Sequence, residues 1–187
     1  MLDSRGSKDR IKREAMRLFV EHGVDAVSMR DIAHSVGLKA PSLYAHFRSR
    51  EELVGDLFYA SYAEYGRRLA DAAATPGRFP AKLEAMVRAI CALHAEDELL
   101  FSFLLLTQHG FLRYVARDES NPVEVICRAV AAAMDAGEIP AGNPTLVAGA
   151  LIGVIVQPAT FKLYGRLELG LGALTDDIVA LCLKVVA

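Results

Sequence analysis

Residues 28–50 read SMRDIAHSVGLKAPSLYAHFRSR, and within them two short helical patterns meet at a glycine turn. Ser28 followed three residues later by Asp31 is a helix-start signal. The serine oxygen can accept from a free backbone N–H, and the carboxylate favours the positive end of the helix. Ile32, Ala33 and Val36 then give that helix one apolar side. Gly37 suits the left-handed residue that ends such a helix, and Pro41 suits the first turn of the next, where its missing N–H costs nothing. Leu43 and Phe47, four apart, form an inward stripe on the second helix. Lys39, Ala40, Ser42, Tyr44 and His46 are left facing out. This is a helix-turn-helix layout, and small, hydroxylic and basic residues at the start of its second helix suit a DNA groove.

Charge supports that reading once it is divided along the chain. The 187 residues carry a net charge of only −2, which by itself argues against nucleic acid. Residues 1–50, however, hold ten Lys/Arg against six Asp/Glu, a net of +4, and the remainder holds eleven against seventeen, a net of −6. A basic head on an acidic body is expected where only the head meets phosphate. The hydrophobic share of 53% against 24% charged excludes a disordered chain and points to a large core or to extensive subunit contact.

Outward from this stretch every unit reads as helix. A first helix from about Ser7 to His22 carries Ile11, Ala15, Leu18 and Phe19 inward, after a frayed start over residues 1–6. Arg5, Lys8, Arg10, Lys12 and Arg13 give it a basic face suited to a phosphate backbone. Ser49 with Glu51 and Glu52 caps a long helix reaching about Ala74, and TPGRFP at 75–80 is the clearest break in the chain. Beyond it, Leu83, Met86, Val87, Ile90 and Leu93 recur at helical spacing up to about Ala95. Asp97 is placed to cap ELLFSFLLLTQH, a run apolar nearly all round and so expected at the centre of the body. A shorter piece is expected from Phe111 to Arg117.

Asn121-Pro122 and Asn143-Pro144 each supply a cap and a preorganised first turn. The helix from Pro144 is expected to reach about Leu167, bending at Pro158, and a last helix is expected from Thr175 to Val186 after GLG at 170–172. The fold class is therefore all-α with about nine helices. The domains are a head over residues 1–50, completed by the start of helix 4, and a helical body over 51–187.

Cys91, Cys127 and Cys182 are odd in number and widely spaced without a CxxC pair, so neither a zinc site nor a disulfide framework is indicated, and free thiols are expected. The amino terminus MLDSRGSKDRIKRE is charged with no apolar core behind it, and a cytoplasmic chain is expected. Thr145–Phe161 is uncharged, but it falls short of the roughly 20 residues of a membrane span and is interrupted by Gln157 and Pro158. It reads as a helix buried on all sides within protein, with no membrane partner.

The LYAHF run, preceded by VGLKAPS and followed by RSREEL, resembles the amino-terminal domain of the TetR family of bacterial transcription repressors. The likeness covers roughly residues 7–60. One departure is Arg50, where the family usually has lysine. The resemblance implies that helix 3, about Ala40–Phe47, enters the major groove. Ser28 would bond a phosphate and Arg30 a base, guanine by preference through its bidentate fork. Lys39, Ala40, Pro41 and Ser42 would lie against base edges and methyl groups, while Tyr44, His46 and Arg50 would hold phosphates.

The resemblance also implies a homodimer through the last two helices, reading an inverted-repeat double-stranded DNA operator, and a small-molecule effector that releases it. Residues suited to lining an effector pocket are Tyr62, Tyr65, Met86, Ile90, His94, Phe101, Phe103, Leu104, Gln108, Phe111, Gln157 and Phe161. Among them His94, Gln108 and Gln157 are polar groups in apolar settings, where burial without a partner is costly.

Two rival readings remain at this stage. An enzyme would have to use His94, Glu96, Asp97, Glu98 and His109, which lack an HExxH arrangement, so no catalytic residue, metal or cofactor is assigned. The other is a constitutive DNA-binding protein with no effector.

Overall fold

A computed structural model describes residues 4–112, 115 and 121–187, with side chains from residue 6 onward. Every regular element among the described residues is helical. In order they are α1 (Ser4–His22), α2 (Met29–Ser35), α3 (Ala40–Tyr44), α4 (Arg50–Ala73), α5 (Phe79–Glu96), α6 (Glu98–Phe111), α7 (Pro122–Asp135), α8 (Pro144–Leu163) and α9 (Thr175–Val185). A 3-10 turn, Leu171–Leu174, precedes α9.

The chain divides into two compact units, Met1–Ser61 with Leu99–Tyr114, and Tyr62–Glu98 with Val115–Ala187. This division does not follow the linear boundary expected at residue 50, because α6 packs with the first helices. Phe103 of α6 stacks on Phe19 of α1 at 6.1 Å, and Phe111 stacks on Phe58 of α4 at 5.3 Å while meeting Tyr59 edge-on. The ELLFSFLLLTQH run is therefore core of the first unit and not the centre of the body. Ile11, Phe19, Ile32, Leu43, Phe47, Leu53, Phe58 and Phe103 are all essentially inaccessible to solvent.

Local chemistry sets the helix boundaries of this unit. Ser28 and Asp31 form a reciprocal capping box at α2, each side chain accepting from the other's backbone N–H. At the other end Gly37 takes φ +69°, so that its N–H donates to His34 and that of Leu38 to Ala33. The last carbonyls of α2 are thus satisfied. The α4 start is fastened similarly, with the Glu52 N–H donating to Ser49 Oγ and the Glu52 carboxylate accepting from the Arg48 N–H.

In the second unit α5 packs with α9, and α8 packs with both α7 and α9. Asn121 and Asn143 cap α7 and α8 as expected, each Oδ1 accepting two backbone N–H groups. Several expectations need correction. α1 begins at Ser4 and not near Ser7. α3 is a five-residue helix that ends before Phe47. α8 continues through Pro158 but stops at Leu163, where Gly165 at φ +68° ends it, and GLG at 170–172 enters the 3-10 turn. Thr175 does not cap α9; its hydroxyl donates backward to Leu171 and Gly172. The expected piece at Phe111–Arg117 lies largely outside the described residues.

The largest correction concerns α8. Its 20 residues are long and apolar enough to cross a membrane, yet only 22% of its most apolar stretch is buried. It is not enclosed on all sides. Leu146 is 72% exposed and Phe161 44% exposed, and Gly149, Ala150, Gly153 and Gln157 share that open side.

A Cβ at Gly37 would meet no atom within 4 Å, so only the backbone resists substitution there. Gly37→Ala is expected to lower stability by about 1–2 kcal/mol, and Gly37→Asn by less, because asparagine tolerates the left-handed region. Urea unfolding of the two variants checks the order; equal loss would mean that space, not φ, sets the cost.

Candidate nucleic-acid interface

The burial of Leu43 and Phe47 decides which way the second short helix faces. Both are at most 2% exposed, so the opposite side of α3 and its flanks is open. Lys39, Pro41, Ser42 and Tyr44 are exposed there, Tyr44 at 49%, while Ala40 and His46 are half-buried. These six expected contact residues lie together on or beside one short element. α3 has no side-chain cap and needs little: Pro41 carries no N–H, and those of Ser42 and Leu43 donate to the Lys39 carbonyl.

Arg30 lies on the solvent side of α2 and pairs with none of the described residues. Its two nearby carboxylates are occupied elsewhere, Asp31 by the capping box and Asp25 by Arg50. Arg30 is therefore not an ion-pair partner of either. Ser28 is exposed, but its hydroxyl donates to Asp31 at 2.6 Å, and this bond, with the Ser28 N–H, holds the Asp31 carboxyl below the usual carboxylate range. A phosphate at Ser28 would have to compete with that bond.

Arg50 is the residue whose expected role changes. Its Nη1 donates to the carbonyls of Val24 (3.0 Å), Asp25 (3.1 Å) and Val27 (3.5 Å), and its Nη2 faces the carboxylates of Asp25 and Glu51. The guanidinium thus ties the start of α4 to the loop leading into α2. A lysine, with one nitrogen in place of a planar fork, could not span this set. Holding phosphate is not what this geometry equips Arg50 to do first.

The basic face of α1 is also partly spent inside the unit. Lys12 pairs with Asp56 at 2.9 Å, and Lys8 reaches the same carboxylate at 3.6 Å while lying over the Phe47 ring at 5.0 Å from its centroid. The two ammonium groups, Lys12 first, hold the Asp56 carboxyl below its ordinary range. Arg17 bridges Glu14 and Glu21. Arg5 has no described side chain. Asp56 was not singled out from sequence, because nothing local marks a carboxylate that will meet two lysines from another helix.

The twelve residues suggested for an effector pocket do not fall in one unit. Phe101, Phe103, Leu104, Gln108 and Phe111 lie in the first, where Phe103 and Phe111 are core stacking residues. Tyr62, Tyr65, Met86, Ile90, His94, Gln157 and Phe161 lie in the second. There Met86 and His94 are buried, and burial pushes the His94 imidazole below its usual pKa and the Tyr62 phenol up to about 12. Gln157 and Phe161 are exposed, so Gln157 is not the enclosed polar group that its setting suggested.

Residues 11–57 match the family described as bacterial regulatory proteins, tetR family. The HTH-type transcriptional repressor KstR2 of Mycobacterium tuberculosis is 38% identical over 81 residues, covering 38% of this chain and only 40% of the repressor's length. Solved structures also match nearly end to end, among them the following two. A bacterial regulatory protein in the tetR family from Rhodococcus RHA1 superposes with a TM-score of 0.78 at 19% identity, covering 96% of each chain. The ketosteroid transcriptional regulator KstR2 of Mycobacterium tuberculosis gives 0.77 at 18% identity, covering 100% of this chain and 96% of its own. At such identities these likenesses concern the fold alone.

Replacing Arg50 by Gln is expected to lower the stability of the protein by about 1–3 kcal/mol, since several backbone carbonyls lose a charged donor. Substitution by Lys should recover little of it. If instead Arg50→Lys unfolds in urea like the parent, the fork is not what fastens the loop.

Proposed function

The chain belongs to the TetR family of bacterial regulatory proteins, and from that premise we propose that it is a transcriptional regulator, acting as a repressor on an inverted-repeat operator. One observation carries the reading: an open face presenting Lys39, Ser42 and Tyr44, fixed in place by the burial of Leu43 and Phe47, with Arg30 exposed and unpaired on the preceding helix. A short helix offering its start in this way matches how helix-turn-helix proteins reach base edges. In this reading Arg30, Lys39, Ala40, Pro41 and Ser42 face bases, while Tyr44, His46 and the exposed Ser28 face phosphates. The protein works in the cytoplasm, where the operator is.

Twofold pairing through α8 and α9 is part of the same proposal. Supporting it is the uncovered apolar side of α8, with Leu146 at 72% and Phe161 at 44% exposure, and on α9 Leu181 at 50% and Val185 at 37%. Single-chain exposure on this scale at adjacent helices fits a surface that a second copy covers. The small residues Gly149, Ala150 and Gly153 on that side of α8 would let a partner helix approach closely. An effector held among the second unit's buried Tyr62 and His94 and half-buried Tyr65 would release the operator only by binding the released state more tightly.

Titration against a base-substituted operator tests the head. Tyr44→Phe should weaken every sequence alike, whereas Arg30→Ala should cost about 1–3 kcal/mol and chiefly relax preference at one base pair. Uniform loss at all positions for Arg30→Ala would remove the base contact from the proposal.

The pairing has its own check. Leu146→Asp combined with Leu181→Asp should give a monomer by analytical ultracentrifugation with unchanged helical circular dichroism, and should weaken operator binding. A parent protein that sediments as a monomer would end this part of the reading.

A further inference from the structure

The second unit contains a half-open groove of about 470 Å3 between the end of α4, the start of α5 and the face of α7. That volume lies within the range of small-molecule sites, roughly 300–1,000 Å3. None of the twelve residues read from sequence as pocket candidates lines it. Its walls are apolar and short. Ala70, Ala73 and Ala74 come from α4 and its end, and Ala129, Ala132, Ala133 and Ala136 from α7 and its end, with Phe79 and Val125 adding larger apolar surface. Because alanine side chains stop at Cβ, three helices can come together here and still leave a trough between them.

Two cations border this trough, Lys82 of α5 and Arg128 of α7. Neither forms an ion pair or hydrogen bond with any described residue, and Arg128 is exposed. This stands out because residues 51–187 carry a net charge of −6. In the same unit Arg68 is matched to Glu96, Arg88 to Glu84 and Asp176, and Lys162 to Glu98, while Arg166 and Lys184 stand exposed without an ion pair; Lys82 and Arg128 differ from those two in bordering an apolar groove. The one carboxylate on the groove, Glu138, is already committed. It accepts from the Phe79 N–H at the start of α5 and lies 3.8 Å from the Arg78 guanidinium. It forms no ion pair with Lys82 or Arg128, and the positive charge of those two is left for something else.

We propose that this groove binds an amphipathic anion, an acid with an unbranched or otherwise slim apolar body. The apolar part lies along the alanine trough and the acidic group meets Lys82 and Arg128. Charge complementarity selects the sign of the occupant, since a cationic amphiphile would face two like charges with no free acid to offset them. The alanine walls select its shape, because the hydrophobic gain scales with apolar area covered and a slim chain covers most here. The site stands independently of the operator reading, and its test uses no DNA.

Isothermal titration of the full chain with decanoate, below its micellar concentration, should give saturable binding to one site per chain. Lys82→Glu combined with Arg128→Glu should weaken it at least tenfold. Ala129→Leu with Ala132→Leu, which keeps both cations and fills the trough, should weaken it as much. Decyltrimethylammonium should not saturate the parent. Thermal melts and circular dichroism establish that each variant is folded, and a conservative Lys82→Arg variant should retain binding. Decanoate binding that both double variants leave unchanged would place the site elsewhere and overturn the proposal, as would the absence of saturable binding to the parent.

Discussion

The head depends on one packing constraint, that Leu43 and Phe47 must both be inside. Each is fully or almost fully removed from water, and at about 25 cal/mol per Å2 of apolar surface neither can be turned outward cheaply. On a helix as short as Ala40–Tyr44 that leaves no freedom in which residues face solvent. Five residues cannot hold a helix by themselves, since nucleation consumes most of what so few hydrogen bonds return. The helix exists because its inward side chains are gripped, and the grip is what aims Lys39, Ser42 and Tyr44.

Around that core the ends of the elements are fastened by different means. The Ser28–Asp31 box and Gly37 define both ends of α2 with bonds that never leave the segment. Arg50 works at longer range, gathering the carbonyls of Val24, Asp25 and Val27 that a loop would otherwise leave to water. Asp56 does the same for α1 through Lys12 and Lys8. The lysine pairs with Asp56 lie at partly exposed sites, so their worth lies in geometry more than in energy, whereas the Arg50 bonds to backbone carbonyls contribute both.

This difference in range separates what was legible in the sequence from what was not. Caps and stops at Ser28, Gly37, Asn121 and Asn143 rest on residues two to four apart, and a chain read locally reveals them. The role of Arg50, the lysines drawn to Asp56, and the placement of Phe103 on Phe19 depend on residues brought together only by folding. Residue type gave no warning, since an arginine near a helix start is equally suited to phosphate or to carbonyl oxygens. Hydropathy misled at α8 for a related reason: an apolar helix enclosed by its own chain and one with an apolar side left open have the same composition.

The charge count illustrates the same limit with a functional consequence. A net of +4 over residues 1–50 suggests a broad electrostatic footprint, but much of that charge is turned inward. Lys8 and Lys12 serve Asp56, Arg17 serves Glu14 and Glu21, and Arg50 serves the loop before α2. Among the described residues of the head, Arg10, Arg30, Lys39 and Arg48 are left with side chains not engaged in this way. A duplex neutralised by so few cations gains little from counterion release, because that gain grows with each phosphate contacted. Affinity from one head would then be small, with a correspondingly shallow dependence on salt. The twofold arrangement proposed through α8 and α9 answers this deficit directly, since joining two weak heads makes the second encounter intramolecular and multiplies the affinity of the first.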